Sequence, residues 1–318
     1  MRRLISSLAL AAALAAGLAV WAAPARAADE VTVLLDWFVN PDHGPLIVAQ
    51  RKGFFAARGI DVTFIEPADP NDPPKLVAAG KAEIAVTYQP QLHMQADAGL
   101  PLVRFATLVA TPLTTVLAIE GGPVKTLADL KGRKVGYSVG GFEQAVLGVM
   151  LKSAGLTTDD VELVNVNFAL SPSILAGKVA AVVGAYRNFE LNQLAIEGHK
   201  GLAFYPEEHG VPAYDELILV ANARFRESDM LTRFAAALEE GTQWIVNRPE
   251  ESFKVFAAYK DGLDDELNRR AWADTVSRFA LRPAALDRGR YARMAAFLKA
   301  EGVVETTPPV DSYAIAPE

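Results

Sequence analysis

With 318 residues, 51% of them hydrophobic and 22% charged, the chain has the length of about two globular domains and too much apolar content for a disordered, collagenous or low-complexity protein. A formal net charge of −7 advertises no basic face for a phosphate backbone, which sets nucleic acid aside as a partner. The absence of cysteine removes disulfides, thiolate metal sites, iron–sulfur clusters and cysteine nucleophiles together, and leaves four histidines to carry any metal or base hypothesis.

The first element is Met1-Arg2-Arg3, an apolar run over residues 8–23 and Ala25-Arg26-Ala27: a basic segment, a hydrophobic segment and a small-x-small cleavage site. It reads as a secretory signal peptide over residues 1–27. Its removal takes three arginines and leaves 28 basic against 38 acidic residues, a net charge of −10. No cysteine follows the cleavage site to carry a lipid, and no later stretch is long and apolar enough to span a bilayer. The expected product is periplasmic, soluble and unlipidated.

From Val31 onward, short β-rich apolar runs alternate with helix-length segments, the pattern of βαβ units that build parallel sheets buried on both faces. Strands are predicted at residues 31–37, 61–65, 83–88, 102–109, 116–119, 134–138, 161–166 and 180–185, and helices at 44–57, 73–79, 142–154, 172–176 and 189–197, with a further helical stretch after Tyr88. After a last strand at 217–221 the pattern turns all-helical, with Leu231, Phe234, Ala235, Leu238 and Ile245 on one face, then helices at 265–276 and 290–300. No internal repeat is visible. Two polar crossings, near 111–115 and 210–215, flank about 100 residues with their own strands and helices. The domain expectation is one lobe from 28–115 and 215–318 carrying the extra C-terminal helices, a second lobe from 116–214 inserted in it, and a two-strand hinge between them.

In open parallel sheets, ligands bind beyond the carboxyl ends of the strands. Those ends deliver Asp36, Trp37 and Phe38 from the first strand and Tyr88 and Gln89 from the third. The inserted lobe contributes Ser138 with Gly140, Gly141 and Phe142 at the following helix start, Asn167 and Phe168, then Tyr186, Arg187 and Asn188, with Glu190 one turn on. Trp37 and Tyr186, from opposite lobes, could sandwich a flat ring, and Asp36 and Glu190 could accept hydrogen bonds from an exocyclic amine or a protonated ring nitrogen. Carboxylates would repel a sulfonate or nitrate; Arg187 argues the other way unless strand alternation turns it out of the cleft. Each residue also has a plain structural reading: Trp37 as core, Asp36 as a turn cap, Glu190 as complement to a helix dipole, Gly140-Gly141 as a tight turn.

Gly136-Tyr137-Ser138-Val139-Gly140 also matches the G-x-S-x-G of a hydrolase nucleophile elbow, which makes an exported esterase using Ser138 the alternative of another class. That motif calls for a late histidine, and His199 and His209 are followed by more than 100 residues without one. The competing reading makes Ser138 and the amides after Gly140 a ligand anchor. No HExxH or close histidine pair exists, so no metal is expected. His43 reads as a helix-start hydrogen bonder or ligand contact, and His93 fits either role. Asp69-Pro70-Asn71-Asp72-Pro73-Pro74 is acidic, but its three prolines make it a rigid turn before a calcium loop.

Leu34-Leu35-Asp36-Trp37-Phe38-Val39-Asn40-Pro41-Asp42-His43, with Lys52-Gly53-Phe54-Phe55, Glu66-Pro67-Ala68-Asp69-Pro70, Tyr88-Gln89-Pro90-Gln91 and Ala128-Asp129-Leu130-Lys131-Gly132, resembles the substrate-binding proteins of ABC importers that salvage the pyrimidine half of thiamine. The likeness runs from about residue 31 to about residue 300. It implies an α/β, type II periplasmic binding protein fold and a ligand such as 4-amino-5-hydroxymethyl-2-methylpyrimidine or its formylaminomethyl relative. It also implies ABC permease subunits as partners, no cofactor, a monomer, and a ring held near Trp37, Tyr186 and Glu190. Where such proteins often have a tryptophan after the tyrosine of the insert's last strand, this chain has Arg187. Related receptors carry sulfonates, nitrate or riboflavin, which is the alternative within the fold. A fungal enzyme of the same superfamily makes the pyrimidine from its own histidine and bound pyridoxal phosphate with a cysteine-rich segment; this chain has His43 in the similar place, no cysteine and an export signal, which favours binding over synthesis.

Overall fold

The computed structural model describes residues 27–317, so the predicted leader lies outside the described residues except for Ala27. Strand β1 (Asp29–Leu34) buries Val31 and Val33 and exposes Glu30 between them and the chain start, the period-two habit of a strand against a core. It leads to helix α1 (Gly44–Arg51), opened by Pro45 and ended by Gly53 at a left-handed φ of +77°. The helix is therefore shorter than predicted, and a 3-10 turn at Ala56–Arg58 occupies the remainder. The chain continues through β2 (Ile60–Ile65), α2 (Pro73–Ala78), β3 (Ile84–Thr87), α3 (Gln89–Asp97) and β4 (Leu102–Val109). A second set follows: β5 (Thr114–Ile119), β6 (Lys134–Tyr137), α4 (Phe142–Ser153), β7 (Glu162–Asn165), α5 (Leu170–Leu175), β8 (Ala181–Tyr186), α6 (Glu190–Ile196) and β9 (Gly201–Phe204). Strand β10 (Leu217–Asn222) returns to the first set, and α7 (Asp229–Asn247), α8 (Pro249–Ala257), α9 (Glu266–Thr275), α10 (Arg288–Ala300) and α11 (Val310–Tyr313) complete the chain.

Two five-stranded sheets result, ordered β2-β1-β3-β10-β4 and β7-β6-β8-β5-β9. They are mixed rather than purely parallel: β10 runs antiparallel to β3 and β4, and β5 antiparallel to β8 and β9. In each sheet the reversed strand is the one the chain uses on arriving from the other sheet, so it enters from the opposite end. Matching β1 with β6, β2 with β7, β3 with β8, β10 with β5 and β4 with β9 gives one topology twice, a repetition of architecture that the sequence does not carry as a repeat.

Three elements escape the sequence pattern for physical reasons. Strand β9 is four residues long with every residue half-buried, so no alternation marks it. Helix α8 begins at Pro249, directly after α7, where proline is well placed as a helix opener. Helix α11 is a single turn. Strand β4 is an edge strand, yet all eight of its residues are buried. The chain's last segment covers that edge: Arg104 of β4, fully buried, donates to the carbonyls of Pro283, Ala284, Ala285 and Ile315.

The chain crosses between the sheets twice, after β4 and before β10. Glu216, fully buried, ties the crossings together by accepting from Leu113 and Thr114 N–H, Thr114 Oγ1 and Tyr214 Oη. Asp215 beside it accepts from Thr107 Oγ1 and from Arg290, and its N–H donates to Gln89 Oε1.

Candidate functional site

Between the sheets, at the carboxyl ends of β1, β3 and β8, lies a narrow cavity that opens to solvent. The first sheet's side supplies Asp36, Trp37, Asn40, Asp42, Tyr88 and Leu217; the second supplies Thr114, Phe142, Glu143, Leu170, Gly184, Tyr186, Phe189 and Glu190.

The loop after β1 is shaped by its own side chains. Asn40 Oδ1 accepts from Asp42 N–H at 2.8 Å, capping a 3-10 turn over Pro41–His43, and Asn40 Nδ2 donates to Phe38 O. Glu66 accepts from Val39 N–H and pairs with Lys260, anchoring the loop from behind. Asp36 is thereby held against two partners: His43 Nε2 at 2.9 Å and Tyr88 Oη, which donates at 2.9 Å. His43 Nδ1 accepts the Asn40 N–H, so the Nε2 nitrogen carries the hydrogen and points it at Asp36. The Tyr88 ring, after β3 of the first sheet, stacks on Phe142, after β6 of the second, centroids 5.6 Å apart, and Trp37 meets Phe168 edge to face at 4.7 Å.

On the opposite wall, Glu190 turns back from the first turn of α6 to accept Tyr186 N–H at 2.6 Å. Glu143 does the same from α4, accepting Ser138 N–H at 2.7 Å. Asp42 Oδ1 accepts Asn188 Nδ2 from across the cavity at 2.7 Å and Thr275 Oγ1 of α9 at 3.3 Å, while its buried Oδ2 has no partner among the described residues. The buried Tyr186 hydroxyl is also without a partner. Burial drives the carboxyls upward, Asp42 and Glu190 to about 7 and Glu143 to about 8, and pushes the Tyr88 and Tyr186 hydroxyls well above their ordinary value. Among the described residues, no lysine, arginine or histidine lines the cavity.

Of the residues singled out from sequence, Asp36, Trp37, Tyr88, Phe142, Tyr186 and Glu190 line this cavity together. The other six stand behind the wall or at its joints. His43 buttresses Asp36. Gln89 bonds His93 and the Asp215 amide at the crossing. Asn188 clasps Asp42 and Thr275. The Ser138 hydroxyl donates to Asn167 O, Gly140 N–H to Asn71 Oδ1 and Gly141 N–H to Gln144 Oε1. Arg187 turns out of the cleft, paired with Glu207 and stacked over Tyr205 at 4.4 Å. Because the Ser138 hydroxyl is spent on a carbonyl and none of the four histidines is bonded to it, the nucleophile-elbow reading is corrected to a structural turn. His93 is likewise structural, between Gln89 and Tyr313 Oη, with burial lowering it to about 4.

Sequence reasoning missed Asp42 and Glu143 as lining residues. The signal for Glu143 is its place in the apolar stripe of α4: it stands three, four and seven residues before Val146, Leu147 and Met150, all buried, where an acid is out of pattern. Asp42 sits between a proline and a histidine in a turn, and nothing in that context distinguishes it from a surface cap.

The family model described as NMT1/THI5 like matches residues 40–252. The chain belongs to that family. A Haemophilus influenzae relative named for thiamine biosynthesis is 50% identical over 293 residues, covering 92% of this chain and 93% of that one. A formylaminopyrimidine-binding protein of Halalkalibacterium halodurans is 36% identical over 254 residues, covering 79% and 77%. The family also holds a 4-amino-5-hydroxymethyl-2-methylpyrimidine phosphate synthase of Saccharomyces cerevisiae, 25% identical over 273 residues, covering 79% and 77%. Among solved structures, the alkanesulfonate-binding protein of Xanthomonas axonopodis superposes with a TM-score of 0.72 at 14% identity, covering 91% of this chain and 99% of that one. The NMT1/THI5-like chain therefore has the periplasmic binding protein fold, as its sequence resemblance implies. Among its described residues no helix is long and apolar enough to cross a membrane.

Proposed function

We propose that the protein is the periplasmic substrate-binding component of an ABC importer, closing on an aminopyrimidine precursor of thiamine and presenting the closed form to a permease. The observation that carries this reading is the make-up of the cavity: four carboxyl groups, five aromatic rings and no cation. Such a site favours a flat ring rich in hydrogen-bond donors. Trp37 and Tyr186 take the ring faces, a contact worth about 1 kcal/mol beyond area burial. Asp36, Asp42 and Glu190 take the amine edge, at about 1.5–3 kcal/mol for an acceptor that is ionised and about 1 kcal/mol for one that is not. The formylaminopyrimidine-binding relative supports this cargo class, and the Ser138 hydroxyl, donated to a carbonyl rather than held by a histidine, supports binding over ester hydrolysis. Closure excludes water and strengthens the same bonds, and the ligand's preference for the closed state drives the lobes together.

A thermal-shift panel on ligand-stripped protein tests the assignment with the hydroxymethyl and formylaminomethyl pyrimidines, thiamine, taurine, nitrate and riboflavin. A ligand at 100 times its Kd adds about 2.7 kcal/mol of stability and raises Tm by several degrees. The expected result is a shift with the pyrimidines; a shift with an anion or a flavin alone overturns the cargo. Trp37→Ala and Glu190→Gln are each expected to weaken pyrimidine binding at least ~10-fold, or ~1.4 kcal/mol, while remaining folded.

A further inference from the structure

Behind the cavity's second-sheet wall, which Phe142 and Glu143 line, the loop after β6 and the opening of α4 gather backbone amides, an arrangement that ordinarily receives an anion. In this chain the amides are already taken. Glu143, the second residue of α4, folds back so that its carboxyl accepts the N–H groups of Ser138, at 2.7 Å, and Val139. Strand β8 is shaped around that carboxyl: Gly184 has a φ of +94°, and a Cβ there would stand 2.2 Å from Glu143 Oε1. The group is 4% exposed, lines the cavity, and has Glu190 and Glu216 as its charged neighbours. Burying an acid among acids is costly, and seating it restricts position 184 to glycine, which together call for a function beyond packing.

We propose that Glu143 is a resident occupant of the cavity's anion-receptive corner, and that it makes the site accept the unphosphorylated ligand and refuse phosphate esters of it. The identity of the parent ligand rests on the pyrimidine reading above; the refusal of phosphate does not. A phosphate entering the cavity would need the Ser138 and Val139 amides and a countercharge. It meets instead an acceptor oxygen on those amides, three further carboxyls at Asp36, Asp42 and Glu190, and no cation. Occupancy holds in either protonation state, because an acid's carbonyl oxygen accepts N–H donors as a carboxylate oxygen does.

The test is calorimetric titration of the wild type, Glu143→Gln and Glu143→Ala with three probes: hydroxymethylpyrimidine, its phosphate ester and inorganic phosphate. Wild type is expected to prefer the parent over the ester by at least ~100-fold. Glu143→Gln keeps an acceptor on the two amides and is expected to keep most of that preference. Glu143→Ala vacates them and is expected to narrow it by at least ~10-fold and to gain measurable affinity for inorganic phosphate. Equal wild-type affinity for parent and ester overturns the proposal, as does an unchanged preference in a folded Glu143→Ala. If Glu143→Ala does not fold, Glu143→Gln decides: a ~10-fold gain in ester binding there means charge rather than occupancy, and also overturns it. Failure of all pyrimidines to bind the wild type sinks the cargo assignment alone, and the inorganic phosphate arm still tests Glu143.

Discussion

Asp42 divides its oxygens between two tasks, one held by Asn188 from across the cavity and by Thr275 of α9, the other buried without a partner among the described residues. Asn188→Ala is expected to weaken ligand binding about 10-fold, because an uncompensated buried carboxyl then opposes closure, and a titration with the pyrimidine ligand checks it. Asp42, Glu190 and Glu143 all have folded values raised by burial, to about 7, 7 and 8, above unfolded values near 4. The native state therefore holds more protons than the unfolded state between those limits, and stability falls as pH rises through them. Lowered groups such as Asp69 and Glu66 act in the opposite sense, losing their contribution only below their ordinary range. The Tm of ligand-free protein is expected to peak in mild acid and decline toward pH 8, and Glu190→Gln to flatten that decline; a flat wild-type profile would contradict it. The lining residues legible in the sequence, Asp36, Trp37, Tyr88, Phe142, Tyr186 and Glu190, share one property: each lies within a few residues after a strand whose apolar run can be seen to end. Asp42 and Glu143 are placed by a turn and a helix face, and their burial is decided by residues distant in sequence, Asn188 and Thr275 for Asp42 and Gly184 for Glu143.

At the scale of elements, β8 and α4 are fitted through Gly184 and Glu143. Gly184→Ala imposes a left-handed backbone on alanine and drives a methyl into the carboxyl, so it is expected to cost roughly 2–4 kcal/mol. The loss should shrink by about 1 kcal/mol or more in a Glu143→Ala background, since residues in contact are not additive. Additive denaturation energies for the pair would refute the contact. The same scale shows why strand identities were readable and strand directions were not. Apolar runs identify β5 and β10 as strands, but their reversal follows from the chain arriving from a different sheet, which is information held by no local window.

For the molecule as a whole, contacts join the two sheets' sides across the cavity. Asn71, from the proline-rich turn, accepts Gly140 N–H at 2.8 Å and donates to Ser138 O at 3.2 Å, and Phe168 packs against both Trp37 and Phe38. Bonds that exist only when the lobes meet govern release more than capture, so Asn71→Ala is expected to raise the dissociation rate about 5- to 10-fold with the association rate nearly unchanged, by stopped-flow. The order of the strands has a further consequence, for assembly. Every partner of the second sheet lies within residues 114–204, so that sheet can zip up from one continuous stretch. The first cannot: β3 and β4 are separated until β10 slides between them, and the Arg104 guanidinium, at the heart of β4, finds its carbonyls only on residues 283–315. A chain delivered amino end first thus has its inserted lobe ready to fold while the lobe that began it still waits for the tail, and pulse-labelled amide exchange during refolding is expected to protect β5–β9 before β1–β4.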